Sequence, residues 1–400
     1  MPKIYSTNSI SMSEPNPVAG PTGEIPGRGG DGENDLEFRD PEKAQAIADK
    51  LAEIAEGIED PPATIMHVCG SHEQSIAKFG LRSMLPDTVR LIMGPGCPVC
   101  VTDMPEVDEA VALAESGVTV ATYGDMLKVP GTAKSLDDAR AEGADVRIVY
   151  SAADIVDIAE EEEGEVVFFA TGFETTAAPT AAVVLDDPPA NFSVLSAHKY
   201  VPPAMDIVAE MPDTDIQGYL AAGNAAIITG SGTFEQLADE HDLPVVVGGF
   251  EPLDILAGVT KLVELVRDGE GVVENAYPRC VTREGNQPAQ EQLWEVFEAV
   301  GGQWRGIADI PNANIRMREE YATYNARERF TIDTSDLREE SASKLADDCI
   351  CGDIMAGVAE PTDCEMFGEE CTPDDPVGAC MVSSEGTCKI WHEYGGRPDL

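Results

Sequence analysis

The chain is 400 residues long, enough for two or three domains that each bury a core, so it is not a small stapled scaffold. Its 74 acidic residues against 26 basic ones give a formal net charge of −48. Spread along the whole length, that charge repels phosphate backbones, so no nucleic acid is expected as a partner. No apolar run approaches the roughly 18 residues of a spanning helix, and no membrane partner is expected either.

Charge this negative reads as a halophilic surface. At molar ionic strength the Debye length falls to about 3 Å, which screens the self-repulsion. The expected result is a melting temperature that climbs steeply as salt is raised towards molar concentration. A melting temperature indifferent to salt overturns the reading.

Residues 1–38 are rich in Gly, Pro, Ser and Asn and lack apolar periodicity, so they are expected to form a disordered leader. The opening MPKIYSTNSI has no apolar core followed by a small-residue cleavage site, which leads to a cytoplasmic expectation. In such a reducing compartment ten cysteines are expected to bind metal or do redox chemistry.

From Asp40 to Ile58 the stretch DPEKAQAIADKLAEIAEGI has helical spacing. Short apolar strands then alternate with helices: TIMHV (64–68), VRLIM (89–93), VTVAT (118–122), VRIVY (146–150), VVFFAT (166–171), SVLS (193–196), AIIT (226–229) and PVVVG (244–248). The alternation predicts an α/β fold with parallel sheets, split near residue 140 into a first α/β domain (39–140) and a second (141–264). The acidic run EEEEGE, Glu160 to Glu165, reads as a solvated face. A helix, LAGVTKLVELVRDG, leads into a C-terminal region (265–400) rich in Gly and Pro, whose segment 345–392 holds six of the ten cysteines.

Three further cysteines lie in the first half. HVCGSHEQSIAKFG puts Cys69 at a strand end, and Ser71 with Gln74 has capping-box spacing. Cys69 is therefore expected beside a helix N-terminus that lowers its pKa. GPGCPVC puts Cys97 and Cys100 after the next strand, ahead of a helix capped by Asp103 or Thr102 with Pro105 in its first turn. Two cysteines so spaced can hold zinc, exchange a disulfide or carry iron. Ligands bind outside the carboxyl ends of parallel strands, so the three thiols are expected to face one crevice with His72 and Glu73 at its rim.

ATGFETTAAPT and GGFEPLDIL each run from strand through Gly-Phe-Glu into a helix. Glu174, Thr175 and Thr176 fall at one helix start and Glu251 with Asp254 at the other, and simple capping accounts for both. Cys280, in NAYPRCV, reads as a small core residue on a strand. The C-terminal six follow the pattern C-x-C, x12, x6, x8, x7, without the paired C-x2-C of zinc modules. An iron–sulfur cluster held by four of them, with the remaining two as a nearby redox disulfide, uses every thiol.

Taken in order, HVCGSHE, GPGCPVC, YGDMLKVPG, TGFETT, GFEPLDIL, NAYPRCV, CICGDIMAG and DCEMFGEECTPDDPVGACMVSSEGTC closely resemble the HypD family of hydrogenase maturation proteins, from about residue 40 to the C-terminus. With the acidic composition, the resemblance points to a halophilic archaeal member. It implies two α/β domains, a C-terminal [4Fe–4S] segment, and a scaffold on which the Fe(CN)2CO group of [NiFe]-hydrogenases is assembled. Its implied partners are HypC, which shares the iron, and HypE, which delivers cyanide.

Residue by residue, Cys69 resembles the ligand of the nascent iron, with His72 and Glu73 orienting the thiolate or moving protons. Ser71 stands where Thr is common, which keeps the hydroxyl. Cys97 and Cys100 resemble the family's redox pair. The C-terminal spacing resembles the family's C-x14-C-x6-C-x16-C cluster pattern, and the resemblance implies Cys349, Cys364, Cys371 and Cys388 as cluster ligands and Cys351 with Cys380 as the adjacent disulfide. The competing readings are a free-standing thiol–disulfide oxidoreductase fed by the cluster, and a zinc-stabilised binding module. Turnover of a generic disulfide without Cys69 marks the first, and a colourless zinc protein the second.

Overall fold

A computed structural model of the protein describes residues 38–211, 213–334, 337 and 349–395. Residues 1–37 of the expected leader and residues 345–348 of the cysteine segment lie outside the described residues. Eleven strands follow in chain order: β1 (Ala63–His67), β2 (Val89–Met93), β3 (Thr119–Tyr123), β4 (Val146–Val149), β5 (Val166–Gly172), β6 (Phe192–His198), β7 (Gly218–Ala222), β8 (Val245–Gly248), β9 (Val273–Asn275), β10 (Phe297–Trp304) and β11 (Ala308–Met317).

Two parallel sheets flanked by helices confirm the α/β class. One has the order β2-β1-β7-β8-β9 and the other β4-β3-β5-β6, while β10 and β11 form an antiparallel hairpin. Burial on both faces explains the unbroken apolar runs: every residue of β5 and of β6 is buried. Among the described residues no helix is long and apolar enough to cross a membrane.

The expected division near residue 140 does not coincide with the sheets. The chain leaves the first sheet after β2, builds the whole second sheet as β3 to β6, and returns for β7, β8 and β9. Two element assignments are corrected as well. AIIT belongs to the helix Gly223–Thr229, and the strand beside it is the preceding GYLAA, β7. A short apolar run cannot be told from a buried helical turn by periodicity, and the Gly and Ala of β7 read as a loop. Cys280 is exposed, on the turn after β9 rather than on a core strand.

The hairpin docks on the second sheet through a fully buried lysine. Lys199 Nζ donates to Glu106 Oε2 at 2.9 Å, Gln303 O at 2.9 Å and Asn314 Oδ1 at 3.1 Å. All three donors are used, as burial of an ammonium group demands. The contact also anchors the helix Met104–Glu115, whose Asp103–Glu106 capping box fixes the chain just after Cys100.

Candidate functional site

Both sheets change strand order at a switch point, between β1 and β7 in the first and between β3 and β5 in the second. Ligands in open parallel sheets gather at such points, outside the carboxyl ends. A cavity of about 200 Å³ lies there, its wall including Cys69 beyond β1, Gly96 beyond β2, Glu174 beyond β5 and Ala222 at the end of β7.

Cys69 is the N-cap of the helix Gly70–Lys78, so that helix starts earlier than a Ser71 cap implies. Ser71 Oγ instead donates to Glu385 Oε1 at 3.0 Å, drawing the C-terminal segment over the cleft. Two glycines permit this crowding. A Cβ on Gly96 would fall 2.2 Å from Cys69 N, and one on Gly70 would fall 2.4 Å from Glu385 O. Burial, followed by the nearby Glu385 carboxyl, pushes the Cys69 thiol up to about 11, although the N–H groups of His72 and Ser71 favour the thiolate. The expectation of a lowered pKa is thereby corrected. Desolvation outweighs the helix terminus, and a thiolate needs a bound cation to persist here.

Cys97 and Cys100 form a disulfide across the single-turn helix Pro98–Val101, and neither is accessible to solvent. Cys100 Sγ also lies 4.0 Å from the carbonyl of Ala379, the neighbour of Cys380.

His72 and Glu73 are not at a rim; both are fully buried. Helical geometry turns them inward, one beside the other. His72 Nε2 donates to Gly249 O at 2.9 Å and its ring stacks, tilted, 4.9 Å from that of Phe250. Burial, followed by His67, lowers its pKa to about 3, so it stays neutral at physiological pH. Glu73 accepts from His67 Nε2 at 2.7 Å, from Arg82 at 2.9 and 2.7 Å, and from Trp391 Nε1 at 2.6 Å. Burial alone would raise its pKa, but Arg82 and His67 more than offset this and hold the carboxylate well below the usual range. Four hydrogen bonds from three residues use its lone pairs, so Glu73 joins the C-terminal helix Thr387–Tyr394 to β1.

The C-terminal thiols converge in the same region. Cys351, Cys380 and Cys388 stand close enough to perturb one another's ionisation, and Cys351 likewise perturbs Cys349. Gly378 touches two of them: a Cβ there would lie 2.6 Å from Cys349 Sγ and 2.8 Å from Cys351 Sγ. Cys371 stands close enough to be influenced by Cys349 and Cys351. Cys351 and Cys380 are adjacent but remain free thiols, and Cys364 sits in the loop before the Phe367–Cys371 bridge.

Hydrogen bonds from Cys351 and Cys380 lower the pKa of Cys388, while Cys380 is pushed the other way. The cation facing this group is Arg305, only 4% exposed, which donates to Thr102 O and Pro130 O at 2.7 Å each. Five soft donors gathered beside a buried guanidinium fit a thiolate-ligated cluster in their chemistry. Among the described residues no three His, Cys, Asp or Glu side chains stand in metal-holding geometry.

Three residues of the site went unread in the sequence. Glu385 had a signal, since SSEGTC lies between Cys380 and Cys388. Arg305 and Trp391 had none, because only the fold brings them to the thiols and to Glu73.

The family model described as "HypD: Hydrogenase formation hypA family" matches residues 42–395. Among curated relatives, the hydrogenase maturation factor HypD of Cupriavidus necator is 41% identical over 377 residues, covering 91% of this chain and 97% of that protein. HypD of Rhizobium leguminosarum bv. viciae is 41% identical over 375 residues, 90% of this chain and 94% of that protein. HypD of Azotobacter vinelandii is 39% identical over 371 residues, with 90% and 96% covered.

Proposed function

The chain belongs to the HypD family, and from that premise we propose that it is a hydrogenase maturation factor on which, together with HypC, the Fe(CN)2CO group is assembled as cargo, with HypE as the cyanide donor. One observation carries this reading. Three thiol stations far apart in sequence, Cys69, the Cys97–Cys100 disulfide and the C-terminal group, are tied together by the Ser71–Glu385 and Cys100–Ala379 contacts.

Cys69 is the residue to hold the iron. Burial disfavours its thiolate when no metal is bound, and coordination to the Lewis-acidic iron would convert it to thiolate, with release of the proton on loading. Neutral His72 supports it by fixing Gly249 and the backbone at the helix start, and Glu73 does so by holding β1 to the C-terminal helix.

By resemblance, Cys349, Cys364, Cys371 and Cys388 would hold a [4Fe–4S] cluster, and when bound it supplies reducing equivalents. Cys351 and Cys380 then form the exchange pair. Attack of the Cys380 thiolate on Cys100 releases Cys97. Attack of Cys351 on that mixed disulfide releases Cys100, so that two electrons move and one disulfide replaces another.

This relay predicts that anaerobically purified Cys380→Ser retains iron but matures hydrogenase far more slowly than wild type. Mass spectrometry after alkylation under non-reducing conditions should show Cys97 and Cys100 unalkylated, locked as the disulfide. A variant that matures hydrogenase at the wild-type rate rules the relay out.

A further inference from the structure

Among the buried carboxyls that the assembly chemistry above does not use, Glu174 has an oxygen without a partner. Glu174 opens the 12-residue helix Glu174–Leu185 and lines the cavity of about 200 Å³ together with Cys69 and Glu385. It is 1% exposed; Oε1 accepts the Val201 N–H at 3.3 Å, and Oε2 has no hydrogen-bond partner. Orphaned buried polar atoms are rare in native proteins and ask for a ligand or a water. The cavity has room for one, since a water's share of liquid volume is roughly 30 Å³.

Nothing on the cavity wall neutralises a carboxylate: among the described lining residues there is no Lys, Arg or His. Burial accordingly pushes the Glu174 carboxyl up to about 7. Near neutral pH it can therefore carry the hydrogen that a hydrogen-bond donor needs. The N-terminal end of its own helix adds a positive potential at the same place.

We propose that the Glu174 carboxyl group donates a hydrogen bond from Oε2 to the acceptor end of a small compact anion lodged in this cavity beside Cys69. The ligand class follows from the volume, from the unpartnered Oε2 and from the helix terminus. Ionised Glu174 repels such a ligand, so the residue selects for it by protonation. The inference rests on the reading that Cys69 holds the cargo, because it assigns Glu174 to the ligands gathered around that thiol.

The other titratable groups facing Glu174 are few. Cys69 is held up at about 11, Tyr200 is raised by burial and then by Glu174 itself, and Glu385 is raised by burial. The adjoining helix Gly223–Thr229 has no titratable side chain. On the other neighbouring helices, Glu291, Glu295, Asp157 and Glu160 are exposed. Glu385 is thus the group to control for.

The test uses the full chain, free of iron, with azide as the probe and its infrared stretch as the readout, over roughly pH 6 to 8. Wild type should bind azide saturably, and the affinity should fall by about tenfold per pH unit above the Glu174 transition, as one linked proton requires. Glu174→Gln keeps a donor that cannot titrate and should bind with no pH dependence, Glu174→Leu should lose binding, and Glu385→Gln should keep the wild-type profile.

Absent binding, a flat wild-type profile, or a profile that follows Glu385 overturns the proposal. So does azide binding to Glu174→Leu at wild-type strength. Because no iron is present, each outcome is independent of whether Cys69 carries the cargo.

Discussion

On the proposed function, Cys69→Ala purified with the proposed HypC partner is expected to lose the infrared bands of bound cyanide and carbon monoxide completely, while keeping the proposed C-terminal cluster. The loss is all or none because, among the described residues lining the inter-sheet cavity, only Cys69 offers a thiol. The Cys97–Cys100 disulfide is buried behind it and the other free thiols belong to the C-terminal group or, for Cys280, to an exposed turn. Soft thiolate ligation is what low-spin iron with such ligands requires. Cys280→Ala is the matched control and should retain the bands at full intensity. Bands that survive in Cys69→Ala would move the iron to another residue.

The second large effect is on stability. Glu73→Ala leaves His67, Arg82 and Trp391 without their shared acceptor and is expected to cost about 3–5 kcal/mol, the range for breaking a buried ion pair from one side. The pH dependence has a defined sign. The folded carboxyl lies below its unfolded value, so its contribution is fully present above about pH 4.3 and is lost as pH falls below that point. Urea midpoints in molar salt, compared between wild type and Glu73→Ala at neutral and at acidic pH, measure both. The difference between the two proteins should shrink on acidification. A variant as stable as wild type at neutral pH would mean that the network is a surface ornament rather than a clamp.

Local features of the fold were legible because strand and helix patterns are local. The β1, β2 and β5 stretches, the thiols at strand ends and the Asp103 capping box could all be read from neighbouring residues. The interleaving of the two sheets could not, since a parallel strand carries no mark of which sheet it joins. For the same reason β7 was hidden in GYLAA while AIIT looked like the better strand.

The site divides along the same line. Cys69 was legible at its strand end, but its protonation was not. Proximity to a helix terminus is written in sequence, whereas desolvation and the approach of Glu385, 316 positions away by residue number, are tertiary facts. His72 and Glu73 next to a reactive cysteine suggested exposed chemistry. Their helical phase instead sends both into the protein, where Glu73 meets Trp391.

The excursion between β2 and β7 has a kinetic meaning. Pairing of Ile65 with Gly218 closes the centre of the first sheet across more than 150 residues of chain, a high-contact-order step whose loop entropy falls only after the intervening sheet has condensed. The cavity wall at Ala222 and the cysteine at the end of β1 therefore come together late, after β3 to β6 exist as a unit. Trp391 must arrive from still farther along the chain before Glu73 is satisfied. An incompletely synthesised or partly unfolded chain thus offers isolated thiols but no cleft, and competence to hold a metal fragment becomes a report on completed folding.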